Sequence, residues 1–431
     1  MTITSPDVTA TPPAAPAAPP RTFADVLVLG GSLIAPLNLL IARSLTAYDL
    51  VLFAAFVLLV HEKRLRWPPR RYTAAVYVFI LAALLSTFRA MYPSEALTQV
   101  LQYLFVFFIQ IPVVLSVVRN KRRIVIAVLL LCVGTLGAML HAYLFPQTQG
   151  AGRSLVFYSD NPNRLGYPAV YLLPFLLAMW HLSRGRAPFT RSVVFLACAG
   201  SASLAVWAVF ASGSRSSLVG CVAALVVFLV LRPDVGLVRS IGRGLALTAV
   251  VGALVVGLVN TGQMPTTLTE RIDRSADPAD SADLLGDRQH LAVAGVRAFV
   301  EMPYLGTGLD NFRHVTVNYD VDATPQLPHN LWLQLLVQVG VFGTRAFAAL
   351  LVFWVRDLIH EVRRTALAQG ELLWSVASAL AGILTIFLFT PEMLDRHYWL
   401  IFALGLAGAT GALRTTGEPD VARSHHHGGT T

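Results

Sequence analysis

Hydrophobic residues run through this chain in blocks of about 20, the length a helix needs to cross a bilayer. Short basic turns separate the blocks. The pattern predicts twelve membrane-spanning helices, at roughly 24–42, 46–61, 72–89, 96–118, 124–145, 165–183, 192–212, 216–232, 243–260, 331–355, 371–391 and 397–413. One long polar interruption, from about Thr261 to Asn330, divides the ninth span from the tenth. The expected fold is therefore an all-α polytopic membrane protein with one large external segment. Its divisions are a Pro/Ala/Thr-rich tail over 1–22, spans one to nine over 23–260, the external segment over 261–330, spans ten to twelve over 331–413 and a second tail over 414–431.

Composition agrees with this pattern. Of 431 residues, 55% are hydrophobic and 13% charged, against about 25% charged in a soluble domain. A net charge of +9 could suggest nucleic acid, but its distribution points to membrane topology. With both termini cytoplasmic and the spans alternating, 21 of the 33 Lys and Arg fall on the cytoplasmic side, including every short basic loop and both lysines. No signal peptide is read in the first residues. Cys132, Cys198 and Cys221 each sit in an apolar run without metal-ligand spacing and read as small packing residues. The closing His425-His426-His427 run is a natural tail or an appended tag and is left out of the site.

The twelve remaining arginines are the anomaly, because translocation disfavours positive charge in short external loops. Arg153 lies at an external mouth, followed by the turn Asn161-Pro162-Asn163. The two Asn amides either cap the next helix or bind polar groups. Ser212-Gly213-Ser214-Arg215-Ser216-Ser217 leaves almost no loop between spans seven and eight, so Arg215 sits at the mouth, beside a helix start that attracts anions. Within the external segment, residues 271–287 are acidic and expected to form a surface loop. Residues 286–302 are predicted to form an amphipathic helix with Arg288 in its first turn. Gly306-Thr307-Gly308 suits a sharp turn. His329-Asn330 opens span ten, where a histidine can accept a proton. Arg345 follows about four helical turns later, on roughly the same face as His329 if the helix is regular. Asp395 in the last external loop can orient a histidine or pair with an arginine.

Arg153, Arg215 and Arg288 gathered at one mouth suit a phosphate or pyrophosphate, because each guanidinium offers a planar fork to such oxygens. No DxD spacing, His/Cys ligand cluster or EF-hand loop is read, so a metal is not called for. Polyanion binding, a membrane lipid and one base together describe glycosyl transfer from a lipid pyrophosphate, with arginines stabilising the leaving group.

The ordered set Arg153…Asn161-Pro162-Asn163, Ser214-Arg215-Ser216, Arg288…Gly306-x-Gly308-x-x-Asn311-Phe312 and His329-Asn330-x-x-Leu333-Gln334 resembles the O-antigen ligase/polymerase superfamily. The resemblance covers about Gly150 to Phe342, and the span layout extends it over most of the chain. It implies a GT-C-like, metal-independent and cofactor-free glycosyltransferase in the bacterial inner membrane, with its active site facing the periplasm. The donor it implies is an undecaprenyl-pyrophosphate-linked glycan. Arg215 and Arg288 would hold the pyrophosphate, and His329 would act as base or align the acceptor, with inversion at the anomeric carbon. Arg153 joins the anion site. Asn161, Asn163, Asn330, Asp395 and Arg345 are candidates for supporting contacts, although Arg345 stands where the family is expected to be apolar. Twelve spans, one large external segment and a short loop between spans five and six favour a ligase that transfers O-antigen to lipid A–core oligosaccharide. A polymerase and a protein O-oligosaccharyltransferase share the motifs. A transporter would instead show internal repeats with matching broken helices, and none is evident.

Overall fold

The computed structural model describes residues 22–42, 45–149, 153–155, 161–231, 239, 242, 278–320, 322, 325–364, 367–391 and 394–412. Every apolar run expected to span folds as helix within them, and the run 243–260 lies outside the described residues. The helices are α1 (Phe23–Ile34), α2 (Ala47–His61), α3 (Arg70–Thr87), α4 (Pro93–Phe105), α5 (Ile111–Val117), α6 (Lys121–Leu144), α7 (Asn163–Gly166), α8 (Ala169–Leu182), α9 (Pro188–Ser212) and α10 (Arg215–Val230). After the external region begin α11 (Pro278–Glu301), α12 (Phe312–Tyr319), α13 (Leu331–Arg364), α14 (Leu367–Ile386) and α15 (Arg396–Ala407). Strands among the described residues are confined to two short antiparallel ribbons, β1 (Leu40–Ala42) with β2 (Leu45–Thr46), and β3 (Thr148–Gln149) with β4 (Arg153–Ser154).

Among the described residues, five helical stretches are long and apolar enough to cross a membrane: Pro93–Val117, Lys121–Leu144, Asn163–Leu182, Pro188–Ser212 and Leu331–Arg364. Shorter apolar helices pack beside them. Phe53, Val57, Tyr77, Leu81, Phe195 and Leu196 remain exposed, which suits a surface bathed in lipid rather than water. The molecule is an all-α membrane protein.

The first span is shorter than its hydrophobic block. Its helix tightens at Ala35–Leu37, and Asn38 takes a left-handed conformation at φ 47° that ends it. Thr46 and Asp49 then start α2 with a capping box: the Asp49 N–H donates to Thr46 Oγ1 (3.2 Å) and the Thr46 N–H to Asp49 Oδ2 (2.9 Å).

Charged groups sort to the two ends of the bundle. At one end, buried Asp25 accepts from Arg64 (2.9 Å) and Arg123 (2.6 Å), and Arg71 pairs with Asp357. All three of these arginines belong to the short basic loops. At the other end Arg396 pairs with Asp49, Arg164 with Asp395, and Arg313 with Glu95. The candidate site occupies this second end.

Candidate active site at the polar end of the bundle

The turn between α9 and α10 is built by its small residues. Gly213, at φ 60°, ends α9. Ser214 caps α10 by accepting from the Ser217 N–H (3.2 Å), and Ser212 accepts from the Ser214 N–H (3.2 Å). Arg215 is therefore the first residue of α10 and is solvent-exposed. The unpaired first N–H groups of a helix carry partial positive charge, and Arg215 adds a full charge beside them. Gly166 of α7 seats against this turn, where a Cβ would lie 2.5 Å from Ser212 Oγ and 2.8 Å from Ser217 Oγ. The Asn161-Pro162-Asn163 and Ser214-Arg215-Ser216 motifs are thereby neighbours. Asn161 Oδ1 accepts the Asn163 N–H (2.9 Å), a local turn that leads into α7. Arg153 sits in β4, and its side chain lies outside the described residues.

α11 is amphipathic as its sequence predicts. Leu291, Ala294 and Ala298 bury against Phe312 of α12 and Val337 of α13. The helix begins at Pro278, so the second half of the acidic stretch expected as loop is helical. Arg288 is exposed on α11. Its charge acts on Arg215 as that of a like neighbour, so the fold brings the two expected anion-binding arginines into one field.

The Gly306–Phe312 motif docks the external segment onto the bundle. α13 is broken at Gly340 (φ 66°, ψ −173°), which frees backbone groups that hydrocarbon cannot satisfy. The Val341 N–H donates to Pro303 O (2.8 Å), Thr307 N–H to Val337 O (2.8 Å) and Gly308 N–H to Gln338 O (3.1 Å). A Cβ at Gly340 would stand 2.2 Å from Tyr304 O. Asn311 fixes the other side. Its Oδ1 accepts from Tyr92 N–H (2.6 Å), and its Nδ2 donates to Tyr92 O (3.2 Å) and Leu309 O (2.9 Å). Beside it, Arg313 bridges Glu95 and Asp310. Burial pushes the Asp310 carboxyl up from its ordinary range, with Arg313 opposing.

The same break corrects the expectation for Arg345. A regular helix would carry it to the face of His329, but Gly340 lies between them and resets the register. Arg345 is exposed below the break, in a stripe with exposed Phe342 and Val352. His329 is half-buried just before the helix. Asn330 is the helix cap: its Oδ1 accepts from the Trp332 and Leu333 N–H groups (2.9 and 3.1 Å), and its Nδ2 donates to Leu388 O (3.1 Å). The upper half of α13 is thereby tied to the end of α14.

A polar cavity of about 310 Å³ opens beside this half-helix. Asp395 lines it, paired with Arg164 at 3.4 Å. Arg396 lines it too, its guanidinium on buried Asp49 at 2.7 Å and its carbonyl accepting from Gln110 Nε2 at 2.8 Å. Sequence reasoning singled out Asp395 and quoted Gln334 as a motif residue, but passed over Gln99, Gln102 and Gln338 lining the same cavity. The glutamine spacing, three residues on α4 and four on α13, was the available signal.

The expectation of no metal-ligand cluster also needs correction. Asp320-Val321-Asp322 is an Asp-x-Asp spacing, and α11 brings His290 to it. The ligand atoms of His290, Asp320 and Asp322 all lie within 4.8 Å of one another, a set that could hold a cation. His290 Nδ1 is 3.0 Å from Asp320, and this hydrogen bond holds the Asp320 carboxyl below its usual range.

No curated protein matches this chain in sequence. Residues 200–348, which carry the Arg215 turn, Arg288, the Gly306–Phe312 clasp, His329 and the broken helix, match the family described as O-antigen ligase, and that match supports the O-antigen ligase superfamily for this chain.

Proposed function

We propose that the protein is an O-antigen ligase. It transfers an undecaprenyl-pyrophosphate-linked polysaccharide to a sugar hydroxyl of lipid A–core on the periplasmic face of the inner membrane. The observation that carries this reading is Arg215 at a helix N-terminus within the field of Arg288. Each guanidinium offers a planar fork that matches the oxygens of a pyrophosphate, and two positive charges in one field favour a polyanion between them. In the twelve-span layout with both termini cytoplasmic, this end of the bundle faces the periplasm.

A lipid donor also needs an apolar path. A groove of about 560 Å³ runs between α13 and α14, lined by Leu331, Trp332, Leu351, Val352, Leu384 and Leu388. It opens directly after His329-Asn330, where a polyprenyl chain can lie with its pyrophosphate at the polar end. In the reaction, the acceptor hydroxyl gives its proton to His329 and attacks the anomeric carbon. The bond to the pyrophosphate oxygen breaks, and Arg215 and Arg288 neutralise the charge that develops on the departing undecaprenyl pyrophosphate. Asn161, Asn163 and Asn330 hold the backbone around these groups, and Asp395 positions Arg164.

Deletion of the gene in its host tests the assignment. A ligase leaves long polymer on undecaprenyl pyrophosphate and bare lipid A–core. Core capped with a single repeat unit means a polymerase, and an unchanged lipopolysaccharide ladder redirects the activity to protein or exopolysaccharide acceptors.

A further inference from the structure

Neither Arg215 nor Arg288 lines the polar cavity, and its chemistry differs from theirs. Each charged group on its wall has a partner of opposite sign: Arg164 on Asp395, Arg396 on Asp49, Asp310 on Arg313. No net charge is left to attract a phosphate. Five carboxamides stand on the remaining wall, Asn38 after α1, Gln99 and Gln102 from α4 and Gln334 and Gln338 from α13, with Tyr103 beside them. A carboxamide donates and accepts together, as a sugar hydroxyl does. Gln334 Nε2 donates to Gln338 Oε1 at 3.3 Å. That leaves Gln338 Nε2 and Gln334 Oε1 buried without a hydrogen-bond partner among the described residues. Gln338 is 1% exposed. A buried amide atom in this condition is destabilising, and a ligand hydroxyl relieves it.

Volume and position agree. The cavity of about 310 Å³ lies at the small end of ligand sites, which run roughly 300–1,000 Å³, enough for a short stretch of glycan. Gln334 is in the first turn of α13, and His329 lies just before that helix. A sugar held by Gln334 and Gln338 therefore lies next to the reacting end of the chain.

We propose that this cavity is a subsite for an uncharged sugar residue of the transferred or receiving glycan, read by Gln334 and Gln338 from α13 and by Gln99 and Gln102 from α4. The proposal rests on the glycosyl-transfer reading above, and it assigns to these glutamines recognition of sugar, separate from pyrophosphate binding.

The test is binding without turnover, on full-length protein in nanodiscs. The probes are the lipid-linked glycan and the lipid A–core of the host, with bare undecaprenyl pyrophosphate as reference. Gln338→Leu and Gln99→Ala, on separate helices, should each weaken one glycan-bearing probe about three- to tenfold, with affinity for the bare carrier unchanged. Loss on the lipid-linked glycan places the donor sugar in the cavity, and loss on lipid A–core places the acceptor. If the wild type binds both glycans and the variants bind them equally well, the subsite is overturned and the glycosyl-transfer reading stands. Equal loss on the bare carrier also overturns it. If the wild type binds no glycan-bearing probe, both readings fall.

Discussion

Arg396 and Asp49, 347 positions apart, meet in a buried ion pair with Nε 2.7 Å from Oδ1. The side chains are 7% and 1% exposed. Removing one partner of such a pair leaves an uncompensated charge and costs about 3–5 kcal/mol. Arg396→Met should lower the unfolding temperature of the detergent-solubilised protein. Arg396→Met with Asp49→Asn should recover much of the loss, because Asn keeps the acceptor for the Thr46 N–H and carries no charge.

The clasp at Asn311 is a second point of failure. Asn311→Ala removes the acceptor of the Tyr92 N–H, at about 0.5–1.5 kcal/mol for the lost hydrogen bond, while Tyr92 O keeps the Glu95 and Ala96 N–H groups. Hydrogen exchange should rise at residues 88–92 and 303–312. Gly340→Ala should act on the same contact from the other side, since its φ of 66° disfavours a side chain and its Cβ would strike Tyr304 O.

Asp310 sets a dependence on pH. Burial raises its folded-state pKa above the unfolded value, so the fold favours the protonated acid. Its contribution to stability is full below the ordinary aspartate value of about 3.9 and is lost as pH rises through the elevated value. Asp310→Asn, which also tolerates the left-handed backbone there (φ 58°), should flatten that part of the curve of unfolding temperature against pH.

The reaction proposed here routes no step through a cation. The His290–Asp320–Asp322 group can therefore bind a divalent ion without entering the chemistry. Chelation with EDTA should leave turnover by the purified enzyme unchanged, and a loss restored by added divalent metal would require a revised mechanism.

The apolar runs made most of the fold legible. Blocks of about 20 hydrophobic residues have few alternatives to helix in lipid, and helix is found in each described one. The Arg215 turn was legible too, because Ser-Gly-Ser spacing caps two helices with no room for a loop. The break at Gly340 was not. Gly340 sits in a run read as one continuous span, and only the clasp from Pro303 to Gly308 selects its left-handed backbone. The same blindness misplaced Arg345, because a periodicity argument assumes an unbroken helix. The glutamine wall was missed because its members come from α4 and α13, more than 230 residues apart, and single polar residues in apolar helices do not announce that they face one another.

The most direct test of glycosyl transfer by this site is single-turnover kinetics of purified enzyme with the host's lipid-linked glycan and lipid A–core, reading release of undecaprenyl pyrophosphate. Arg215→Ala and Arg288→Ala should each slow release about 10²–10³-fold, as loss of one charge-stabilising donor does elsewhere. His329→Ala should slow it about 10²–10⁴-fold while donor binding is kept. Release at near wild-type rates in either arginine variant, from folded protein with bound donor, would contradict the assignment of this site.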